Sequence, residues 1–333
     1  MRPAPGAVDA PGAAALLRGA SDVLVLGHVG PDPDALGSAV AIAAAVRRRG
    51  VPAVAAFGDP GPVADRLRTL DPDGVVVHPA DAPPAPDLLV CCDASERRRL
   101  GPLGDRLDTA GASLVIDHHV SFVPFGTHRL VDASAPATAT LVRQVLAELG
   151  EPLDAMQAGA LFAGLYTDTG GFRAGGADTL RLAAELVDAG ADPPSLLRGL
   201  DGDRPFAWLA AQATILAGAR RDPDAAEGAG LVWARVDPAT ASRFRDQVPT
   251  VIGQLSATAG QGVAALLTER ADGSWSVSLR GPGRPDLSAV ARRLGGGGHR
   301  GAAGAELAGT AGGVLDALRE ALAAEAVSPA APA

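Results

Sequence analysis

Three short apolar runs in the first half of the chain each close on acidic or histidine residues, and this pattern restricts the fold. Residues 23–27 (Val-Leu-Val-Leu-Gly) lead into His28, Asp32 and Asp34. Residues 88–93 close on Asp93, and residues 113–117 on Asp117, which is followed by His118 and His119. Apolar runs this short, bounded by turn-forming residues, read as strands buried on both faces. Segments with helical spacing lie around them: residues 35–49, closed by Gly50, then 103–110, 134–149, 154–166 and 178–189. Residues 51–57 and 75–77 are further expected strands. The alternation predicts an α/β fold whose N-terminal domain has a mostly parallel sheet flanked by helices. In such a sheet ligands bind at the carboxyl ends of the strands, where these acids and histidines stand.

A chain of 333 residues has room for two domains. Residues 191–222 stay helical in spacing but carry Pro193-Pro194 and Asp201-Gly202-Asp203, so they read as a helical connector. It would join a domain of residues 1–190 to a smaller α/β domain of residues 223–333. In the latter, residues 230–236, 263–270 and 274–280 are strand-like, and Ala271-Asp272-Gly273 suits a hairpin turn. Residues 314–324 form an expected last helix, followed by a Pro/Ala tail expected to be disordered. Aromatic residues make up only 3% of the chain, so the core is built mainly from Ala, Val and Leu.

All 29 basic residues are arginine, and the formal net charge is −9. That charge argues against coating long nucleic acid, which requires neutralising many phosphates. It leaves room for a short oligonucleotide held by metals and a few arginines. Cys91 and Cys92 are adjacent within an apolar run and read as buried small residues, not a disulfide. There is no apolar run of the ~20 residues that a membrane span needs. The N-terminus lacks the pattern of a signal peptide. A cytoplasmic enzyme is the expectation.

Taken singly, the polar strand-end residues have ordinary explanations. Asp34 could cap the helix of residues 35–49, Asp93 could be an exposed acid or a cap, and Asp168 could belong to a turn in Thr167-Asp168-Thr169-Gly170-Gly171. His118 and His119 could be satisfied core histidines. Together they point to a metal site, because Asp and two His at a buried strand end are costly unless they bind metal or each other. Oxygen and imidazole donors without thiolate favour Mn2+, with Mg2+, Co2+ or Zn2+ as alternatives. Two such ions about 3.5–4 Å apart are a recurrent device for phosphoester hydrolysis.

These segments resemble the DHH phosphoesterase superfamily, and Gly295-Gly296-Gly297-Gly298-His299-Arg300-Gly301-Ala302-Ala303-Gly304 resembles its DHHA1 domain. The resemblance spans roughly residues 23–322. It is strongest to the branch of bifunctional oligoribonucleases and adenosine 3′,5′-bisphosphate phosphatases. It implies that His28 and Asp32 hold one metal, Asp34, His118 and Asp168 the other, and that Asp93 bridges them. Asp117 would orient the neighbouring ligand, and His119 would face the substrate phosphate, which makes Asp93, Asp117 and His119 the catalytic set. Arg280 and His299 would contact the substrate across a cleft, with Gly297 and Gly298 letting the backbone approach it. The chain departs from the family pattern at Gly281, where Ser is usual, and at Gly30, where Asn is frequent.

The implied activity is Mn2+-dependent hydrolysis of very short RNA to mononucleotides and of adenosine 3′,5′-bisphosphate. The alternative is a phosphodiesterase for cyclic di-AMP or its linear product; a nucleotide-binding sensor ranks lower. The expected partners are short RNA and small nucleotides, with no long nucleic acid and no membrane. A homodimer is implied by resemblance alone.

Overall fold

The structure, a computed structural model, describes residues 6–326 other than 60, 62, 202, 203 and 261. The first five residues, Gly202-Asp203 of the expected connector and the Pro/Ala tail lie outside the described residues. The chain divides into two compact units, Met1–Asp203 and Arg204–Ala333.

The first unit runs α1 (Ala10–Gly19), β1 (Val23–Leu26), α2 (Pro33–Arg48), β2 (Ala53–Ala56), α3 (Asp65–Arg68), β3 (Leu88–Cys92), β4 (Ala112–Asp117) and β5 (His128–Val131). Helices α4 (Thr138–Leu149), α5 (Ala155–Asp168), α6 (Ala177–Asp188) and α7 (Pro193–Asp201) follow. The five strands form one sheet in the order β2-β1-β3-β4-β5, with every pairing parallel. The chain moves outward from β1 to β2 and then returns past β1 to β3. The switch point therefore lies between the carboxyl ends of β1 and β3.

Strand alternation sends side chains to two separate cores. Val23, Val25, Val90, Cys92, Leu114 and Ile116 share one core with residues of α1, α2, α4 and α5. Leu24, Leu26, Leu89, Cys91 and Val115 pack on the other face with Leu100 and Leu103. The two cysteines are free and buried on opposite sides of the sheet. Burying each such Val or Leu contributes about 1.5–3 kcal/mol. With so few aromatics, helices must approach closely to fill space. A methyl group added at Gly37 of α2 would lie 2.2 Å from the Ala160 carbonyl oxygen of α5.

Two expected elements differ from the sequence reading. Residues 75–77 make only an isolated bridge, Ala55 to Val76, because the Asp71 carboxylate takes the N–H groups of Val75 and Val76. Residues 103–110 lie largely in a 3-10 helix, Arg97–Asp108, broken at Gly101 (φ 59°), a backbone region open mainly to glycine. Strand β5 went unforeseen because its half-buried residues show no alternation.

The second unit comprises α8 (Phe206–Ala217), β6 (Arg220–Asp222), β7 (Leu231–Val236), α9 (Pro238–Arg243), α10 (Val251–Thr258), β8 (Val263–Glu269) and β9 (Ser274–Arg280). It closes with α11 (Leu287–Arg293), β10 (Gly297–His299), β11 (Ala302–Ala308) and α12 (Ala311–Ala326). Its sheet has the order β10-β11-β9-β8-β7-β6, antiparallel except between β7 and β8. The glycine run thus enters an edge strand. Strand β11 is masked in the sequence by its Ala/Gly composition. The hairpin turn is present, with Arg270 N–H donating to the Ser274 carbonyl at 2.8 Å. Among the described residues, no helix is long and apolar enough to cross a membrane.

Candidate metal centre

The loop after β1 carries the first ligand candidates. His28 Nδ1 donates to the Val29 carbonyl at 2.9 Å, which leaves Nε2 directed to Asp32 Oδ2 at 3.5 Å and Asp93 Oδ2 at 3.6 Å. A carbonyl can only accept, so this bond assigns the Nδ1 proton and frees Nε2 as a ligand atom.

Asp32 is the N-cap of α2, accepting from Asp34 N at 3.0 Å and Ala35 N at 2.9 Å. The helix therefore begins at Pro33, and the capping role open to Asp34 in the sequence belongs to Asp32. Asp34 caps a different helix. Its Oδ2 accepts Thr138 N at 2.7 Å and its Oδ1 accepts Ala139 N at 2.9 Å, both at the start of α4. The residue in the cap position of α4, Ala137, has no side-chain acceptor. A fully buried carboxylate is thus held by two N–H groups and the positive helix end.

Asp93 follows β3 with its backbone in the left-handed region (φ 58°), which is rare for a residue other than glycine. This turn drives its carboxylate, 2% exposed, between two histidines. Oδ2 faces His28, while Oδ1 faces His118 Nε2 at 3.5 Å and accepts from Thr138 Oγ1 at 2.8 Å.

The Asp117-His118-His119 tripeptide starts on the last residue of β4. His118 Nδ1 donates to the Ala135 carbonyl at 3.1 Å, which points Nε2 at Asp168 Oδ2 (3.0 Å), Asp93 Oδ1 and Asp34 Oδ2 (4.0 Å). Asp117 Oδ1 accepts the N–H of His118 at 2.7 Å, the N–H of His119 at 3.1 Å and His119 Nδ1 at 2.6 Å. Asp117 therefore holds the ring of His119, whereas the Ala135 carbonyl holds that of His118. Asp168 is the last residue of α5 and not part of the turn beyond it. Gly164 lies one helical turn before it on the same face. A methyl group there would lie 2.5 Å from Asp34 Oδ1.

The electrostatics favour cations. Burial alone would lower the pKa of His28, but Asp32 and Asp93 beside it push it up to about 10. Burial likewise opposes the charge on His118, yet Asp168, Asp93 and Asp34 push it up to about 10. Burial and the neighbouring charges of Asp168 and Asp93 hold Asp34 well above the carboxylate range. Burial raises Asp168 to about 6, against the pull of His118. Asp93 is held low by His28, His119 and His118 despite its burial.

The donor set fits divalent metal. His28, Asp32 and Asp93 each offer one atom within 4.8 Å of the others, and so do Asp34, Asp93 and His118. Asp117 Oδ2 is buried without a hydrogen-bond partner among the described residues. Thr138, the first residue of α4, orients Asp93, and Ala135, in the bend before that helix, orients His118; neither stands out in the sequence as a site residue.

In the second unit, Arg280 pairs with Ala302, and Ala302 pairs with His299. Residues directly opposite in adjacent strands share a face. The two expected substrate contacts therefore stand in one row of the sheet, with Gly297 and Gly298 leading into it.

A parallel sheet with this polar cluster at its switch point is the arrangement of an α/β enzyme whose site is able to hold metal. The chain matches the DHH family N-terminal domain over residues 22–165 and the DHHA1 domain over residues 236–327. It belongs to the DHH phosphoesterase family. It is 31% identical to a bifunctional oligoribonuclease and PAP phosphatase NrnA of Thermus thermophilus over 289 residues, covering 86% of this chain and 84% of that protein. A cyclic-di-AMP phosphodiesterase GdpP of Geobacillus thermodenitrificans is 28% identical over 332 residues, covering 92% of this chain but 48% of that protein. The fold of the present chain is shared by the crystal structure of an exopolyphosphatase-related protein from Bacteroides fragilis (TM-score 0.79, 19% identity, 94% of each chain).

Proposed function

We propose that this chain is a Mn2+-dependent phosphoesterase that releases mononucleotides from very short RNA and dephosphorylates adenosine 3′,5′-bisphosphate. The observation that carries this reading is Asp93, whose two oxygens face two separate clusters of donors. His28 and Asp32 would hold one ion, Asp34, His118 and Asp168 the other, and Asp93 would bridge them. A pair of bound divalent cations supplies charge neutralisation for the phosphoryl group and acidifies the attacking water. Manganese suits a set of imidazole and carboxylate donors without thiolate.

The chain's own residues do the rest. His119, fixed by Asp117, presents its ring to the phosphoryl group, and Asp117 keeps that ring in one tautomer. Arg280 and His299 supply donors for substrate phosphate or base; Gly297 leaves room beside them, while Gly298 lets β10 pack closely on Ala302 and Ala303 of β11. The similarity to the Thermus protein supports short RNA and adenosine 3′,5′-bisphosphate as the substrates. The charge of −9 supports short substrates over long polymers.

The deciding experiment is a substrate panel in Mn2+: RNA of graded length, adenosine 3′,5′-bisphosphate, cyclic di-AMP, its linear product and pyrophosphate. Turnover of short RNA and adenosine 3′,5′-bisphosphate, lost with EDTA and in Asp93→Ala, is the expected result. Undiminished turnover in Asp93→Ala would remove the two-metal assignment. Turnover confined to cyclic di-AMP or its linear product would replace the substrate reading with a signalling one.

A further inference from the structure

We propose that Thr138 is a positioning residue that fixes the bridging carboxylate and couples the two halves of the metal centre. Its hydroxyl donates to Asp93 Oδ1 at 2.8 Å while its backbone N–H donates to Asp34 Oδ2 at 2.7 Å. One residue thus orients two carboxylates that reach it from 45 and 104 positions away. It is fully buried, so no solvent competes for either bond.

The physical consequence follows from what else holds Asp93. Its backbone is anchored by Asp93 N–H to the Ile116 carbonyl at 3.0 Å, but its carboxylate can still rotate about its own axis. The Thr138 hydroxyl selects the rotation in which Oδ1 lies toward His118 and Oδ2 toward His28. Thr138 is the first residue of α4, whose Leu141, Val142, Val145 and Leu146 are buried in the core of the first unit. The hydroxyl is therefore carried on a rigid body. Without it, a buried oxygen of Asp93 loses a partner, and both half-sites lose the direction of their shared ligand.

The role of Thr138 rests on the metal-holding reading of the site, and the test separates the two. Mn2+ binding is measured by titration calorimetry on the full chain, wild type against Thr138→Val, Thr138→Ser and Thr138→Ala, with melting of each in EDTA to confirm folding. The wild type is expected to bind two Mn2+ per chain. Thr138→Val, which keeps the shape and removes the donor, lowers Mn2+ affinity about 10–100-fold, as loss of an outer orienting partner does. Thr138→Ser, which keeps the hydroxyl, retains wild-type affinity. Thr138→Ala serves as the second donor-free variant if valine prevents folding, and the same loss is expected of it. Wild-type Mn2+ affinity in a folded Val or Ala variant overturns the proposal, even if its melting temperature falls, since that marks a purely structural residue. A wild-type chain that binds no Mn2+ overturns the metal reading itself and the role of Thr138 with it.

Discussion

The Asp34 carboxylate accepts the backbone N–H of Thr138 at 2.7 Å, although the two residues lie 104 positions apart. An acid in the first turn of α2 thereby caps α4, and the two helices meet at the candidate metal centre. The capping bonds keep Asp34 buried and aimed at the face where His118 and Asp93 converge.

That packing leaves no room beside Asp34. Gly164→Ala places a methyl group 2.5 Å from Asp34 Oδ1 and 2.9 Å from its Cα, where the backbone cannot yield easily. Overpacking of this kind costs about 1–3 kcal/mol. The variant is expected to melt lower than the wild type and to bind Mn2+ more weakly, by thermal denaturation and calorimetry. An unchanged Mn2+ affinity would show that Asp34 is not a ligand.

Asp117 accepts three N–H groups through one oxygen. Asp117→Asn weakens the hold on the His119 ring and should lower turnover about 10–100-fold, the usual loss for an outer orienting partner. Asp117 belongs to neither proposed set of ligands, so Mn2+ binding persists in calorimetry. Equal turnover in the variant would exclude His119 from phosphate contact.

The pH dependence of the metal-free protein has a definite sign. His28 and His118 are raised from 6.5 to about 10 in the folded chain by Asp32 and Asp93, and by Asp168, Asp93 and Asp34, against the effect of burial. A raised folded pKa gives stability that is complete below 6.5 and is lost as pH climbs through about 10. With no lysine and one tyrosine in the chain, few other groups titrate there. Burial lifts the Cys91 thiol to about 12, so the clearest window is pH 6.5 to 9. In EDTA the melting temperature should fall across that window. In Mn2+ the fall should be smaller, because bound cations replace the two protons. A flat profile in EDTA would contradict imidazolium at these positions.

Arg280 and His299 stand in one row of the second sheet. On the proposed reading, Arg280→Ala and His299→Ala would each remove a donor to substrate, and a bond to a charged group is worth about 1.5–3 kcal/mol. KM for short RNA should rise about 10–100-fold, with Mn2+ stoichiometry unchanged. A variant that loses Mn2+ and keeps KM would place that residue among the metal ligands instead.

Much of the first unit was legible from local pattern. The runs that became β1, β3 and β4 are apolar on both alternating faces, and such runs have few other stable environments than a covered parallel sheet. Strand β5 and the 3-10 segment after Asp93 were not legible, since neither has a regular repeat. In the second unit β9 was visible from its alternation of Ser with Trp275, Val277 and Leu279, whereas the Ala/Gly-rich β11 was not.

From the sequence alone came the residue types at the strand ends, the doubly covered parallel sheet and the DHH resemblance, because each depends on neighbours a few positions apart. Only the tertiary structure decided that Asp32 caps α2 while Asp34 caps α4. It also placed Asp168 at a helix end against His118 and gave Thr138 its hold on Asp93. Apart from the local cap of Asp32, those bonds join residues far apart in the chain, so their partners are chosen by how the helices pack on the sheet, which no local pattern encodes.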